Sequence, residues 1–447
     1  MKITFLGACH MVTGSQYLLE QDNTKLLVDC GMIQGEQFTD DKNYDKFAFD
    51  PSGVAAICVT HAHIDHCGRI PRLVREGFQG KVIATLPTLD LAALMLEDSA
   101  HVIQLDAEQA GYPPLYTAED VLATTALFNG VKYHEPVTVG PFNIEFFDAG
   151  HVLGSAFIKI TAGGKSIIFS GDVGNPPVPL LKPTEPLPQA DYMVMESTYG
   201  QRAHEPGRER KLLLSSAIYE TITMKGTLLI PAFALERTQE ILYELNGLVE
   251  NKEIPPVPIF IDSPLAIKAT RIYPKYNDWF NQETQYLLEK GDDVFKFNGL
   301  KFTTTSEESR AILHVKAPKV ILAGSGMMQG GRVRFHAKNY LPDANNQLLI
   351  VGYQVKGSLG RQLLDKAREV TIDGDRVPVH AKVRAIGAYS AHADQPKLVN
   401  WVHTMPNKPQ HIWLTHGEPE NAEILAGVLR RRGQTVSLPE IGQSVEL

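Results

Sequence analysis

Nothing in this chain approaches the ~20 consecutive apolar residues of a membrane-spanning helix, although 43% of its 447 residues are hydrophobic. A membrane protein of the helical kind is therefore excluded. The opening MKITFLGACH lacks the apolar segment and cleavage site of a secretory signal, so a cytoplasmic protein is expected. Cysteine is scarce: Cys9, Cys30, Cys58 and Cys67 all fall within the first seventy residues, without a CxxC pair. That excludes a disulfide scaffold and a zinc ribbon, and the four read as reduced, mostly buried thiols. An excess of positive charge is missing too. At a formal −8 the whole surface cannot hold a polyanion, so any nucleic acid must enter a locally basic groove. Internal repeats and low-complexity tracts are likewise absent.

The length exceeds what one hydrophobic core usually serves, so two domains, or one domain with a large insertion, are expected. Residues 1–205 hold short β-type runs such as KLLVDCG, AAICVT, KVIAT, FNIEFF, AFIKITAG, KSIIFSGD and DYMVMES, most of them closed by Gly, Asp, Ser or His. A helical pattern intervenes over PTLDLAALMLEDSAHVIQL. Layered sheets with outer helices follow from that mixture. Over 206–380 the rhythm changes to helix, strand, helix, strand, from RKLLLSSAIYETITM to QLLIVGY, which predicts a mostly parallel sheet flanked by helices. Over 381–447 histidine-bearing strand ends return. The middle is thus read as an insertion into a domain built from both chain ends.

The densest signal is THAHIDHCG, residues 60–68, where three of the chain's 15 histidines and one aspartate fall within six positions. Imidazole and carboxylate together suit zinc. In an extended stretch His61 and His63 point the same way, while Asp65 and His66 fall at the start of the next helix, so one turn can serve two cations. Other strand ends supply further ligand types: Asp29 in LLVDCG, His151 in AGHVLGS, Asp172 in FSGD and His416 in LTHGE. Singly, each reads as a turn or cap residue; together they form one pattern at a sheet edge.

LLVDCG, THAHIDH, AGHVLGS and FSGD resemble the successive motifs of the metallo-β-lactamase superfamily. ESTYG at Glu196, YSAHAD at His392 and LTHGE at His416 resemble the three further motifs of its β-CASP branch of RNA-processing nucleases, as do IPAFALERTQE, IDSPLA, AGSGMMQGGR and GYQVKGSLGR in the middle. The resemblance covers essentially the whole chain and is similar to the compact two-domain bacterial type. It implies an α/β fold, an αββα sandwich with an inserted β-CASP α/β domain, and two zinc ions, with manganese as the alternative. His61, His63 and His151 would hold one, Asp65, His66 and His416 the other, with Asp172 and a hydroxide bridging them and Asp29 hydrogen-bonding behind the ligands. Taken alone, His392 reads equally as a histidine satisfied in a tight turn. Its motif makes it the general acid, with Glu196 orienting its imidazolium. Histidine in LTHGE matches the RNA-cleaving members, where the DNA-repair members carry valine.

RNA is therefore the expected partner, and a homodimer is left open by the relatives. For phosphate contacts the sequence offers Arg237, Arg332, His336, Lys356 and Arg361, with Arg334 and Lys338 adding charge. Ser325 and Gly326 lie in a turn able to cradle a phosphate. Lys268 and Arg271 read better as a solvated helix face. His10, in GACHMVTGS, is assigned to loop packing. Two other functions compete: a non-catalytic RNA-binding scaffold, against which the full ligand set counts, and a small (thio)ester hydrolase, for which the insertion would have no purpose.

Overall fold

The computed structural model describes residues 1–34, 41–204, 209–355 and 357–447, and only the backbone of 109 and 110. Lys356 therefore lies outside the described residues.

Two seven-stranded sheets face each other. The first begins as an antiparallel meander, Lys2–Phe5 on Tyr17–Gln21 on Thr24–Val28, and continues in parallel through Val54–Cys58, Lys81–Thr85 and Phe128–Val131. Its far edge is the late strand Ser444–Glu446. The second runs antiparallel from Val137–Val139 through Phe142–Asp148 and Ala156–Ala162 to Lys165–Phe169, then parallel through Tyr192–Glu196, His411–Thr415 and Val436–Ser437. Alternating apolar residues of both sheets, among them Phe5, Leu19, Val28, Phe146, Ile158, Phe169 and Trp413, form the core between them. Strands from both chain ends thus join these two sheets.

The insertion carries its own six-stranded sheet, in which every pairing is parallel. Its central strands Thr227–Pro231, Lys319–Ala323 and Gln347–Ile350 are buried along their whole length, as a sheet covered on both faces requires. One boundary differs from the sequence reading. Lys382–Ala385, assigned above to the returning sandwich, pairs with Gln347–Ile350 in the inserted sheet. It is a short edge strand with exposed Lys382 and half-buried Val383 and Arg384, so its own pattern does not say which sheet it joins.

The long helix Leu86–Ala110 starts on the Thr85 side-chain cap, has Pro87 in its first turn, and stops at Gly111, whose φ of 75° glycine takes without strain. Thr85 Oγ1 also donates to the Gly154 carbonyl at 2.6 Å, which ties this helix to the His151 turn. All four cysteines are free and buried, and burial pushes the Cys9 and Cys30 thiols up to about 12. His10 rests on Glu440 at 3.1 Å. Among the described residues no helix is long and apolar enough to cross a membrane.

Candidate metal centre

The ligand-type residues all sit at C-terminal strand ends of the two facing sheets. Asp29 follows Thr24–Val28, His61 to His66 follow Val54–Cys58, His151 follows Phe142–Asp148, Asp172 follows Lys165–Phe169, and His416 follows His411–Thr415. Glu196 is the last residue of Tyr192–Glu196. Asp65 and His66 occupy the single turn Ile64–Cys67. The loop after Asp29 packs so close to that turn that a Cβ on Gly31 would stand 1.6 Å from the Asp65 carbonyl oxygen. Only glycine lets the two loops meet there.

The donor atoms converge in two sets. His61, His63, His151 and Asp172 each offer one atom, and these lie within 4.8 Å of one another; so do those of Asp65, His66 and His416. Asp172 joins the sets: its Oδ2 is 3.4 Å from both His61 Nε2 and His151 Nε2, while its Oδ1 is 3.2 Å from His66 Nε2 and 3.5 Å from His416 Nε2. All seven side chains expected to hold metal are brought together.

Four rings are anchored through the other nitrogen. Asp29 accepts from the Thr60 amide at 2.8 Å and hydroxyl at 2.9 Å, and its Oδ2 lies 2.7 Å from His66 Nδ1. Thr60 Oγ1 reaches His61 Nδ1 at 3.1 Å, Thr198 Oγ1 reaches His416 Nδ1 at 3.1 Å, and the Ala391 carbonyl accepts from His151 Nδ1 at 3.1 Å. Fixing Nδ1 leaves the Nε2 lone pair to face the centre. The two threonines went unnoticed in the sequence, although Thr60 directly precedes His61 and Thr198 lies two residues after Glu196.

The donor set fits a metal. His66 Nε2 and Asp172 Oδ1 are buried without a hydrogen-bond partner, a state that native interiors rarely leave unanswered. Burial lowers the pKa of His61 and His151 and takes His63 down to about 3, so these rings are in the neutral form that ligation requires. Burial opposes charge at His66 and His416 also, but Asp172, with Asp29 behind His66 and Asp65 beside His416, outweighs it and raises both.

His392 stands beside this centre. Its Nδ1 is 3.2 Å from Glu196 Oε2 and 3.8 Å from Asp172 Oδ2. Glu196 is held in turn by the Val173 amide at 2.6 Å. Burial would depress the imidazole, yet the two carboxylates prevail and hold it up at about 9. The pair thus presents a protonated ring whose Nε2 is the free end.

The expected phosphate contacts are only partly assembled. Ser325, Gly326 and Arg332 gather at the end of Lys319–Ala323, where Ser325 Oγ exchanges hydrogen bonds with Gly330. Arg332 leans on Asp262, at 2.7 Å, and on the Thr303 and Thr304 carbonyls. His336 is fully buried, its Nε2 2.6 Å from Asp262 Oδ2, and is removed from the surface patch. Arg237 is removed as well: it is 3% exposed and paired with Glu240 on the buried face of its helix, a face the sequence could not reveal from one arginine among glutamates. Arg361 remains at the surface, paired with Asp365 at 3.0 Å. Asp262, missed as the organising carboxylate, closes the strand Ile259–Asp262 much as the ligand-type residues close theirs.

A two-sheet sandwich with histidine and aspartate clustered at its strand ends defines a metal-dependent hydrolase. Residues 12–199 match the Metallo-beta-lactamase superfamily, 238–363 the Beta-Casp domain, and 376–439 the Zn-dependent metallo-hydrolase RNA specificity domain. The chain belongs to the β-CASP branch of the metallo-β-lactamase superfamily. It is 38% identical over 445 residues to ribonuclease TTHA0252 of Thermus thermophilus, with 100% of both chains covered. It is 30% identical to the transcription termination factor FttA of Methanosarcina mazei, covering 97% of this chain and 69% of that one. Cleavage and polyadenylation specificity factor 73 of Drosophila melanogaster is 30% identical, over 96% of this chain and 62% of that protein. A crystal structure of an Enterococcus faecalis protein of unknown function superposes with a TM-score of 0.58 at 13% identity, over 100% of this chain and 99% of the other; this likeness is one of fold.

Proposed function

We propose that the chain is a zinc-dependent ribonuclease, acting in the cytoplasm, that hydrolyses RNA phosphodiester bonds with His392 as general acid. Two cations, zinc or manganese, would be held by His61, His63 and His151 and by Asp65, His66 and His416, with Asp172 shared. Bound there, they would supply an activated water and neutralise charge gathering on the phosphoryl oxygens. The observation that carries this reading is Asp172, whose two oxygens face the two donor sets and whose Oδ2 also faces His392. In the reaction, the oxygen of a water that has released one proton to solvent forms a bond to phosphorus, and the bond to the leaving ribose oxygen breaks. His392 Nε2 gives its proton to that oxygen, while Glu196 keeps Nδ1 hydrogen-bonded and the ring in place. Ser325, Gly326, Arg332 and Arg361 are the remaining proposed phosphate contacts. The matched ribonuclease, along the whole of its length, supports RNA as the substrate.

Digestion of 5′-labelled and 3′-labelled RNA, and of matched DNA, by wild type and His392→Ala tests this, with metal content measured on both. Wild type is expected to prefer RNA, and the two labels separate internal cutting from 5′-end cutting. Losing the acid should slow cleavage by about 10²–10⁴-fold with metal content unchanged. Protein that binds RNA but holds no metal and cuts nothing would be a scaffold. Thioester hydrolysis without RNA cleavage would place the chain among the small-molecule hydrolases.

A further inference from the structure

One buried helix face of the inserted domain reaches the segments that carry His151 and His392. On Arg237–Glu250, Glu240 and Glu244 stand one turn apart, and Glu236 precedes the helix at φ 61°, ψ −54°. All three carboxylates are buried. Two guanidiniums answer them, Arg237 on Glu240 and Arg210 on Glu244 Oε1 at 2.5 Å. Glu236, without a cation of its own in these pairings, uses its Oε2 to accept from the Tyr273 hydroxyl at 2.8 Å and from the Leu153 amide at 3.2 Å. Its Oε1 has no hydrogen-bond partner among the described residues.

Both partners of this face across the domain boundary belong to catalytic segments. Leu153 lies two residues after His151. Glu244 Oε2 accepts from the Tyr389 hydroxyl, and Tyr389 lies three residues before His392. The Tyr389 ring is also faced by Arg210 and Arg237, whose guanidinium carbons are 5.9 and 5.7 Å from its centroid. The two segments meet where Ala391 accepts from His151 Nδ1. A non-glycine residue at positive φ is uncommon, and backbone strain of this kind gathers where a position must be held. Glycine would occupy residue 236 more easily but could not reach Leu153.

We propose that Glu236 and Glu244 are positioning residues, through which the inserted domain sets the placement of the His151 and His392 segments relative to each other. This rests on the ribonuclease reading above. Were the cluster only an adhesive between domains, its loss would show in melting temperature or in RNA affinity and leave turnover alone.

The test uses Glu236→Gly, which keeps an easy backbone at that φ, Tyr389→Phe, which keeps the ring, and the double variant. Turnover and KM on RNA are measured well below each melting temperature, with metal content per chain and a crystal structure of the double variant. The double variant is expected to lose about 10- to 100-fold in kcat, with KM within about two-fold of wild type and metal content unchanged. Glu236→Gln should restore most of the loss, because burial and Glu240 hold the Glu236 carboxyl up at about 8, so the native group is already neutral at pH 7. Wild-type kcat in the double variant, or a loss confined to KM, overturns the proposal. If wild type itself fails to cut RNA, the ribonuclease reading falls. The crystal structure then judges positioning alone: a His151 Nδ1–Ala391 O separation still at 3.1 Å overturns it, and a shift of the two segments apart upholds it.

Discussion

Asp29 shows how a single side chain sets the chemistry of a neighbour it never replaces. It accepts from the Thr60 amide, whose donor cannot be reversed, and from His66 Nδ1. In Asp29→Asn the carbonyl oxygen must stay on the Thr60 amide, which turns the carboxamide N–H toward His66. His66 would then accept at Nδ1 and carry its proton on Nε2, aimed at the cation. Metal affinity is expected to fall about 10- to 100-fold, read by titration with a competing chelator. An affinity equal to wild type would show that Asp29 does not set the tautomer. The donor cluster was legible in sequence because dense histidine at strand ends is rare without a metal. Its anchors Thr60 and Thr198 were not, since threonine at a strand end has many ordinary uses. Arg237 and His336 misled for the same reason: residue type conveys charge, but only packing shows whether it faces water.

Elements were the most legible level. Apolar runs closed by polar residues gave the sandwich strands, and the alternation of helix and strand gave the inserted sheet, because burial on one face or two leaves its period in the residues. Short edge strands such as Lys382–Ala385 and Val436–Ser437 carry too few residues for a period, so membership of one sheet or the other is decided by pairing. The strand Phe142–Asp148 adds a testable consequence. Its last residue is buried, accepts from the Gly150 amide at 2.8 Å and lies beside Glu185; burial, opposed by that amide and helped by Glu185, raises the Asp148 carboxyl to about 7. The unfolded chain releases the same proton near ~3.9. Between those values the folded state binds the extra proton, so stability falls as pH rises. Asp148→Asn lacks this titration. The melting-temperature difference, variant minus wild type, should therefore grow in the variant's favour from pH 4 to pH 7 and level off above. A difference that is flat across that range would mean the carboxyl titrates normally.

At the scale of the molecule, two domains are locked rather than loosely tethered. Tyr353 of the insert donates to Glu418 at 2.9 Å and stacks edge-on to Tyr199, whose ring lies 6.2 Å from that of His392. On another side Tyr276 and Lys275 reach Asp90. An RNA substrate would therefore have to reach the donor cluster beside two domains already in contact, on a protein of net charge −8. Three of the insert's surface cations are moreover engaged with acids: Arg334 with Asp373, Lys338 with Asp375, Arg361 with Asp365. A phosphate that displaces a carboxylate from one of them releases less counterion than it would from a bare basic patch. Binding should thus depend on salt only mildly. If Arg332, Arg334 and Arg361 each meet one phosphate of single-stranded RNA, three contacts at about 0.7 apiece give a slope of log K against log[salt] near −2. Arg361→Gln should bring that slope about 0.7 closer to zero. Fluorescence anisotropy of a labelled RNA on His392→Ala protein, from low to moderate salt, measures both. A slope steeper than about −5 would show that cations other than these three carry the binding.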